Sequence, residues 1–286
     1  MKRQSNFEPN FILTGDWHLR ESVPTCRTDD FWEAQWDKVK QVKALQEKYR
    51  CPVWHSGDLF DHWKPSPYLL STTMTHLPEQ FYTVYGNHDL PQHNWDMRDR
   101  CGIRTLEISG HLKTLSGVHW GQQPKLNNSE FPIFVWHVMT WTGNPPWPGC
   151  TDLDGMSILE KYPDYRLILT GHNHKTFTVH HNGRILINPG SLTRQTADQI
   201  DHQPAVYLYD SVHNIVRPHY LDVTENVISR IHLDEVKERD DRIDAFVERL
   251  SKEWATGFSF EDNLNQFAQA NNIRKSVMDI VWRALE

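Results

Sequence analysis

The chain has 286 residues, 38% of them hydrophobic and 23% charged, which suits a globular protein with one sizeable core and a small appendage. A formal net charge of −7 gives no overall positive field, which speaks against a module that holds nucleic acid by charge alone. The cysteines Cys26, Cys51, Cys101 and Cys150 form no C-x-x-C pair, so neither a zinc ribbon nor a redox dithiol is expected. "MKRQSNFEPN" lacks a signal-peptide apolar stretch, and no run reaches the roughly 18 apolar residues of a membrane span. The expectation is a reducing, cytoplasmic protein without membrane association.

In chain order, "FILTGD" (11–16) is a short apolar run ending in polar residues. A helical pattern follows, with Phe31, Val39, Val42 and Leu45 on one face. "CPVWHSGD" (51–58) reads as a second strand, and "PYLLSTTMTHL" (67–77) as a helix after it. "FYTVYGNHD", "FPIFVWH" (131–137) and "YRLILTGHNH" (165–174) read as further strands that end the same way. Strands alternating with helices predict α/β layers, the strands buried on both faces. Between the last two strands, "MTWTGNPPWPGC" (139–150) is long enough for a lid or a substrate wall.

From residue 175 onward the pattern is β-rich. "KTFTVHHNGRILINPG" predicts a hairpin turning at Asn182-Gly183. The end of the chain is helical, with Ile243, Phe246, Val247, Leu250 and Trp254 on one face and Ile273, Val277, Ile280 and Val281 on another. The expected division is 1–221 for a catalytic domain and 222–286 for a helical extension. The apolar faces of that extension are expected to pack on the body, or to dock a second copy or a partner subunit.

The strand ends carry Asp16 and His18, Asp58, Asn87 and His88, His137, and His172 and His174. In open α/β sheets ligands gather beyond the carboxyl ends of the strands, so these groups are expected to converge. Carboxylate, imidazole and amide oxygen, without thiolate, suit manganese, iron or zinc. Two ions about 3.5–4 Å apart need an anionic bridge, and Asp58 is the natural choice. D-x-H and H-x-H are expected on extended strand ends, where residues two apart point the same way. Gly57, Gly86 and Gly171 precede the ligands, where a side chain would hinder the chain's exit from the strand. His88 diverges from Asn87 and is expected to face the substrate as proton donor or charge stabiliser. Asp89 is expected to bond its imidazole and set its tautomer.

D-x-H, GD, GNHD, a lone His and G-H-x-H in that order resemble the calcineurin-like metallophosphoesterase superfamily, over roughly residues 11 to 210. The resemblance implies a four-layer fold, a double β-sheet sandwich flanked by helices. It implies one ion on Asp16, His18, Asp58 and His174, and another on Asp58, Asn87, His137 and His172. His88 takes the place of the catalytic histidine, and a metal-activated hydroxide is the implied nucleophile.

"GDWHLR", "SGDLFDHWKPSP" and "YGNHDL" look most like the branch of SbcD-type DNA repair nucleases, with Arg20 where that branch has glycine. This implies a manganese-dependent nuclease acting on DNA, with an ATPase-type partner or a homodimer as associations. Arg20 is then expected at the rim of the site, and Arg194 in "NPGSLTR" on a substrate phosphate. Trp17, Trp63, Trp141 and Trp147 are expected to stack on unpaired bases. A small-molecule or cyclic-nucleotide phosphodiesterase is the alternative, favoured by a closed pocket under 139–150; an open basic groove favours DNA. A non-catalytic scaffold is the third reading.

Overall fold

The computed structural model describes residues 7–122, 124, 133–252 and 260–285. β1 (Phe11–Thr14), β2 (Val53–His55), β3 (Phe81–Thr83) and β4 (Lys113–Thr114) lie parallel in one sheet. Parallel neighbours need crossovers, and α1 (Phe31–Tyr49), α2 (Pro67–His76) and α3 (Gly102–Ile108) provide them. Local chemistry starts the first two. Asp30 caps α1 by accepting from Glu33 N, and Ser66 caps α2 by accepting from Leu69 N with Pro67 at its first position.

A second sheet holds β5 (Ile133–His137), β6 (Leu167–Gly171), β7 (Phe177–His181) and β8 (Arg184–Asn188) in the order β5-β6-β8-β7. α4 (Gly155–Lys161), capped by Asp154, crosses from β5 to β6. β7 and β8 form the expected hairpin, with Asn182 at φ 48° and Gly183 at φ 74°, the left-handed pair this turn requires. β9 (Ala205–Asp210) and β10 (Ile215–Tyr220) then return to the first sheet, giving β10-β9-β1-β2-β3-β4.

Successive residues show why the strands are apolar throughout. Ile12 and Val53 face the helices α1 to α3, whereas their neighbours Leu13 and Trp54 face the second sheet. Leu167 and Leu169 join that inter-sheet layer, while Ile168 packs outward against Ile158 and Leu159 of α4. The arrangement is helix, sheet, sheet, helix, the mixed α/β sandwich expected. Alternation on a strand thus separates two cores instead of core from solvent.

The chain divides into two compact units, Met1–Ser229 and Arg230–Glu286. Residues 222–229 stay with the first: Ser229 N donates to Cys26 O at 2.7 Å, and Thr28 N to Val227 O at 3.1 Å. The second unit contains α5 (Ile231–Lys252), α6 (Phe260–Ala270) and α7 (Lys275–Leu285). Leu264, Ala268 and Met278 form its core with Ile273, Val281 and Trp282, and Phe246 meets Phe267 edge to face. Ile243, Val277 and Ile280, expected on its apolar faces, are exposed. Trp254 lies outside the described residues, as do the side chains of Val247 and Leu250. Among the described residues no helix is long and apolar enough to cross a membrane.

Candidate metal centre

The carboxyl ends of β1, β2, β3, β5 and β6 share one edge, and their loops bring the candidate side chains together. Asp16, His18 and His174 place donor atoms within 4.8 Å of one another, as do His18, Asp58 and His88, and Asp58, His137 and His172. Asn87 joins the last set, its Oδ1 lying 3.1 Å from His137 Nε2 and 2.8 Å from His172 Nδ1. Asp16, Asp58 and His137 are almost wholly buried.

The backbone reaches this arrangement differently from the sequence expectation. D-x-H was expected on an extended segment, yet β1 ends at Thr14, and Asp16 and His18 take left-handed φ values of 50° and 47°. Asp58 (57°) and His172 (85°) are left-handed too. Such conformations are costly for side chains with a Cβ and persist only where surroundings impose them. Here the imposing contacts are backbone hydrogen bonds between ligand loops: Asp16 N to Gly57 O at 3.1 Å and His18 N to Asp58 O at 3.0 Å. Gly57 is required at this crossing. Its φ is 102°, and a Cβ there would lie 2.6 Å from His137 Nδ1 and 2.9 Å from Gly86 N.

Asp89 was expected on the His88 imidazole and is elsewhere. Its Oδ2 accepts from Asp58 N at 2.8 Å and Gly86 N at 3.0 Å, and its Oδ1 from Phe60 N at 3.2 Å. A buried carboxylate facing several amide donors fastens the two loops, and its hydrogen bonds go to backbone amides and not to the imidazole. His88 Nδ1 instead lies 2.7 Å from the Asp61 carbonyl. A carbonyl only accepts, so Nδ1 carries the proton and Nε2 is left for the site. His137 is oriented similarly, its Nδ1 lying 2.7 Å from the Ser56 carbonyl.

That orientation leaves His137 Nε2 facing two acceptors, Asn87 Oδ1 at 3.1 Å and Asp58 Oδ2 at 3.3 Å. Burial works to lower His137, but the Asp58 carboxylate, followed by Asp16, pushes it up to about 9. Burial works to raise Asp58, yet His137 and then His18 hold it far below the usual carboxylate range. Burial pushes Asp16 up to about 7 and His172 down to about 4. Asp58 Oδ2 is buried and accepts no hydrogen bond, and His18 Nδ1 also lacks a partner. His18 Nε2 stands 3.0 Å from His174 Nε2. Lone pairs converging on one buried carboxylate are arranged for a cation, and the N/O donor set fits a divalent metal.

Several sequence expectations land elsewhere. Trp17 is fully buried, its Nε1 donating to Thr14 Oγ1 at 2.9 Å and its ring against His55 and Phe81, so it is core and stacks on no base. Trp63 packs partly buried against the helix-side core. Trp141 donates its Nε1 to Asp152 O at 3.1 Å, within its own loop, while Trp147 is 46% exposed. Arg194 donates its Nε to the His202 carbonyl at 2.8 Å and lines a separate cavity with Arg27 and Asp29. Arg20 does lie at the rim, 3.1 Å from Asp61.

Sequence reasoning missed three residues. The Trp120 ring tilts over His172 at 4.7 Å. His93 is left-handed at φ 55°, with Nδ1 2.8 Å from Asn87 O and its ring 6.3 Å from His88. Asp61 stood in the quoted G-D-x-F-D pattern without a role. Trp120 and His93 sit outside any ligand motif, so only a register placing β4 and the turn after β3 beside the site would have exposed them.

Residues 9–176 match the model of a family described as calcineurin-like phosphoesterase. No curated protein matches the chain. Among solved structures, an archaeal phosphodiesterase is similar at 14% identity, covering 74% of this chain and 99% of its own, with a TM-score of 0.43. A metallophosphoesterase from Sphaerobacter thermophilus shares 14% identity over 75% of this chain and 89% of its own, with a TM-score of 0.38. Vacuolar Protein Sorting 29 from Cryptosporidium parvum shares 17% over 75% of this chain and 97% of its own, with a TM-score of 0.37.

Proposed function

Because the chain belongs to the calcineurin-like phosphoesterase family, and is therefore a phosphoester hydrolase, we propose that it cleaves phosphodiesters with a pair of divalent ions and that its substrate is DNA. The observation that carries the metal reading is the convergence on Asp58 Oδ2, a buried oxygen that forms no hydrogen bond, of His18 Nε2 at 3.6 Å and His137 Nε2 at 3.3 Å. Asp58 would bridge the two ions, with Asp16, His18 and His174 holding one and Asn87, His137 and His172 the other. Manganese is the first ion to test, with iron and zinc compatible with the same donors. Ions bound there supply Lewis-acid polarisation of the phosphoryl group and make water a usable nucleophile near neutral pH.

His88 has the chemistry a diester needs. The departing alkoxide is a poor leaving group unless protonated. With Nδ1–H committed to the Asp61 carbonyl, His88 gives a proton from Nε2 in its doubly protonated form and keeps the Nδ1–H bond afterwards. Arg20, held at the rim through Asp61, adds positive charge where the substrate enters.

The DNA reading rests on the likeness of GDLFD and GNHDL to the repair nucleases and on an open edge. Residues 142–149 are exposed and Trp147 projects from that loop, so the segment is available to a polymer. A small phosphodiester is the second reading, favoured because the described lining of the groove beside His172 and His174 carries Asp198 and Asp201 against Lys175. Manganese-loaded protein is expected to cut linear single- and double-stranded DNA and bis(p-nitrophenyl) phosphate, and to cut the monoester p-nitrophenyl phosphate poorly. Turnover of the model diester with DNA left intact removes DNA as the substrate, and a preference for the monoester removes the diesterase.

A further inference from the structure

The backbone after β4 is sewn into the strands that carry the ligands. Val118 N donates to Val135 O at 2.9 Å, and Val118 O accepts from His137 N at 3.1 Å, so this segment runs beside the end of β5. Trp120 N then donates to Tyr85 O at 2.9 Å, on the turn that leads to Asn87. Gly117 permits the approach: a Cβ there would lie 2.6 Å from Val135 O and 2.8 Å from Val84 Cγ1.

This path sets the partly buried Trp120 indole against the imidazoles of one half of the centre. Its ring lies 4.7 Å from His172 at a 32° tilt and 6.0 Å from His137 at 69°. Among the described residues it meets the ring of neither His18 nor His174. Through the turn and the two rings, Trp120 is therefore tied to Asn87, His137 and His172, the ligand set of a single ion. The Ser56 carbonyl fixes the His137 ring at 2.7 Å. The His172 ring has no such outer partner among the described residues, since its Nδ1 meets Asn87 Oδ1, itself a ligand of the set. The indole is what holds the His172 ring plane. An imidazole bound to a divalent ion takes on positive charge, and an indole face stabilises a cation beside it.

Building on the two-ion reading, we propose that Trp120 is a positioning residue for the ion held by Asn87, His137 and His172. Its indole fixes the plane of the His172 ring, keeps water from that side of the imidazole, and stabilises the charge the ring takes on as a ligand. Among the described residues no indole lies on the imidazoles of the other half. Removing Trp120 therefore acts on one ion and spares its neighbour.

The test titrates the full chain with manganese in competition with a chromogenic chelator, so that both ions are read without turnover. The parent is expected to bind two ions. In Trp120→Ala one of them weakens about 10- to 100-fold, the scale on which outer partners of a ligand act, while the other keeps the parent's affinity. The weakened ion is the one that His172→Ala loses, so the double variant shows no further loss at the remaining ion. Trp120→Phe keeps an aromatic face and restores most of the affinity, whereas Trp120→Leu keeps apolar volume without that face and stays weakened. These two variants carry the test if the alanine chain fails to fold. Two ions bound by the parent with neither weakened in Trp120→Ala, or both weakened equally, overturn the Trp120 assignment and leave the two-ion reading standing. Full recovery by Trp120→Leu overturns the assignment as well. A parent that binds no second ion overturns the two-ion reading and the Trp120 assignment with it.

Discussion

The two halves of the metal centre are built differently. Asn87, His137 and His172 are tied by hydrogen bonds, with Asn87 Oδ1 2.8 Å from one imidazole and 3.1 Å from the other and His137 anchored on Ser56 O. In the other half Asp16 accepts from His172 N, at 2.9 and 3.1 Å to its two oxygens, but the His18 imidazole has no such anchor. His18 Nδ1 has no hydrogen-bond partner, two imidazole nitrogens face each other at 3.0 Å, and Asp16 and His18 are held by left-handed backbone. Both halves bring ligand atoms face to face, and they differ in the outer anchor: Ser56 O fixes the His137 imidazole, and His18 Nδ1 has no hydrogen-bond counterpart. Rigid second partners strengthen metal ligation. The half whose His137 imidazole is anchored on Ser56 O should therefore hold its ion more tightly, and the half with the unanchored His18 should exchange its ion more readily.

The largest effect is expected at the residue beside His18 and the shared carboxylate. His88→Ala is expected to lower kcat about a thousandfold, as loss of a proton donor does, while metal stoichiometry on the purified protein stays at that of the parent. Survival of turnover would put the proton elsewhere. Asp58→Asn removes the anion that both halves share, and should weaken both ions by about 100-fold or more, beyond what an outer partner costs. Calorimetric titration that finds only one ion weakened breaks the assignment of the bridge.

The two halves should also respond differently to pH. His137 is pushed up to about 9 and must release its proton before Nε2 can hold an ion. Affinity at its half should climb about tenfold per pH unit towards pH 9. Asp16 is pushed up to about 7, so the other half should stop gaining near pH 7. Competition titrations at several pH values would show identical profiles if the halves are equivalent.

Asp89→Asn is a smaller perturbation that acts on both halves through the loops. It places an NH2 group against amide donors, and each unsatisfied buried group costs about 1–3 kcal/mol. The unfolding free energy from urea titration should fall by that amount, seen as a lower midpoint with the slope unchanged. Smallest is Asp154→Ala, which removes the cap of α4 behind β5 and β6 and should cost about 1 kcal/mol without changing turnover. A change in metal affinity there would couple the outer helix to the site.

Much of the fold was legible because it depends on neighbours in the chain. The apolar runs and the Asn182-Gly183 turn follow from local propensity. The polar endings of β1, β2, β3, β5 and β6 marked the functional edge for the same reason, since a strand leaving a sandwich must change from apolar to polar at its exit. That the side chains at those endings were N/O donors without thiolate set the chemistry.

What tertiary structure alone decided were contacts between segments far apart in sequence. Asp89 lies next to His88 in the chain but is claimed by the amides of Asp58 and Phe60, because the crossing at Gly57 brings that loop closer than the adjacent ring. Trp17 looked like a base-stacking residue beside a ligand and became core, because the left-handed turns at Asp16 and His18 direct it inward. The sequence by itself determined which chemical groups stand at the sheet edge. Distances, protonation and left-handed backbone were decided by packing, since burial and hydrogen bonding between loops depend on every segment that meets there.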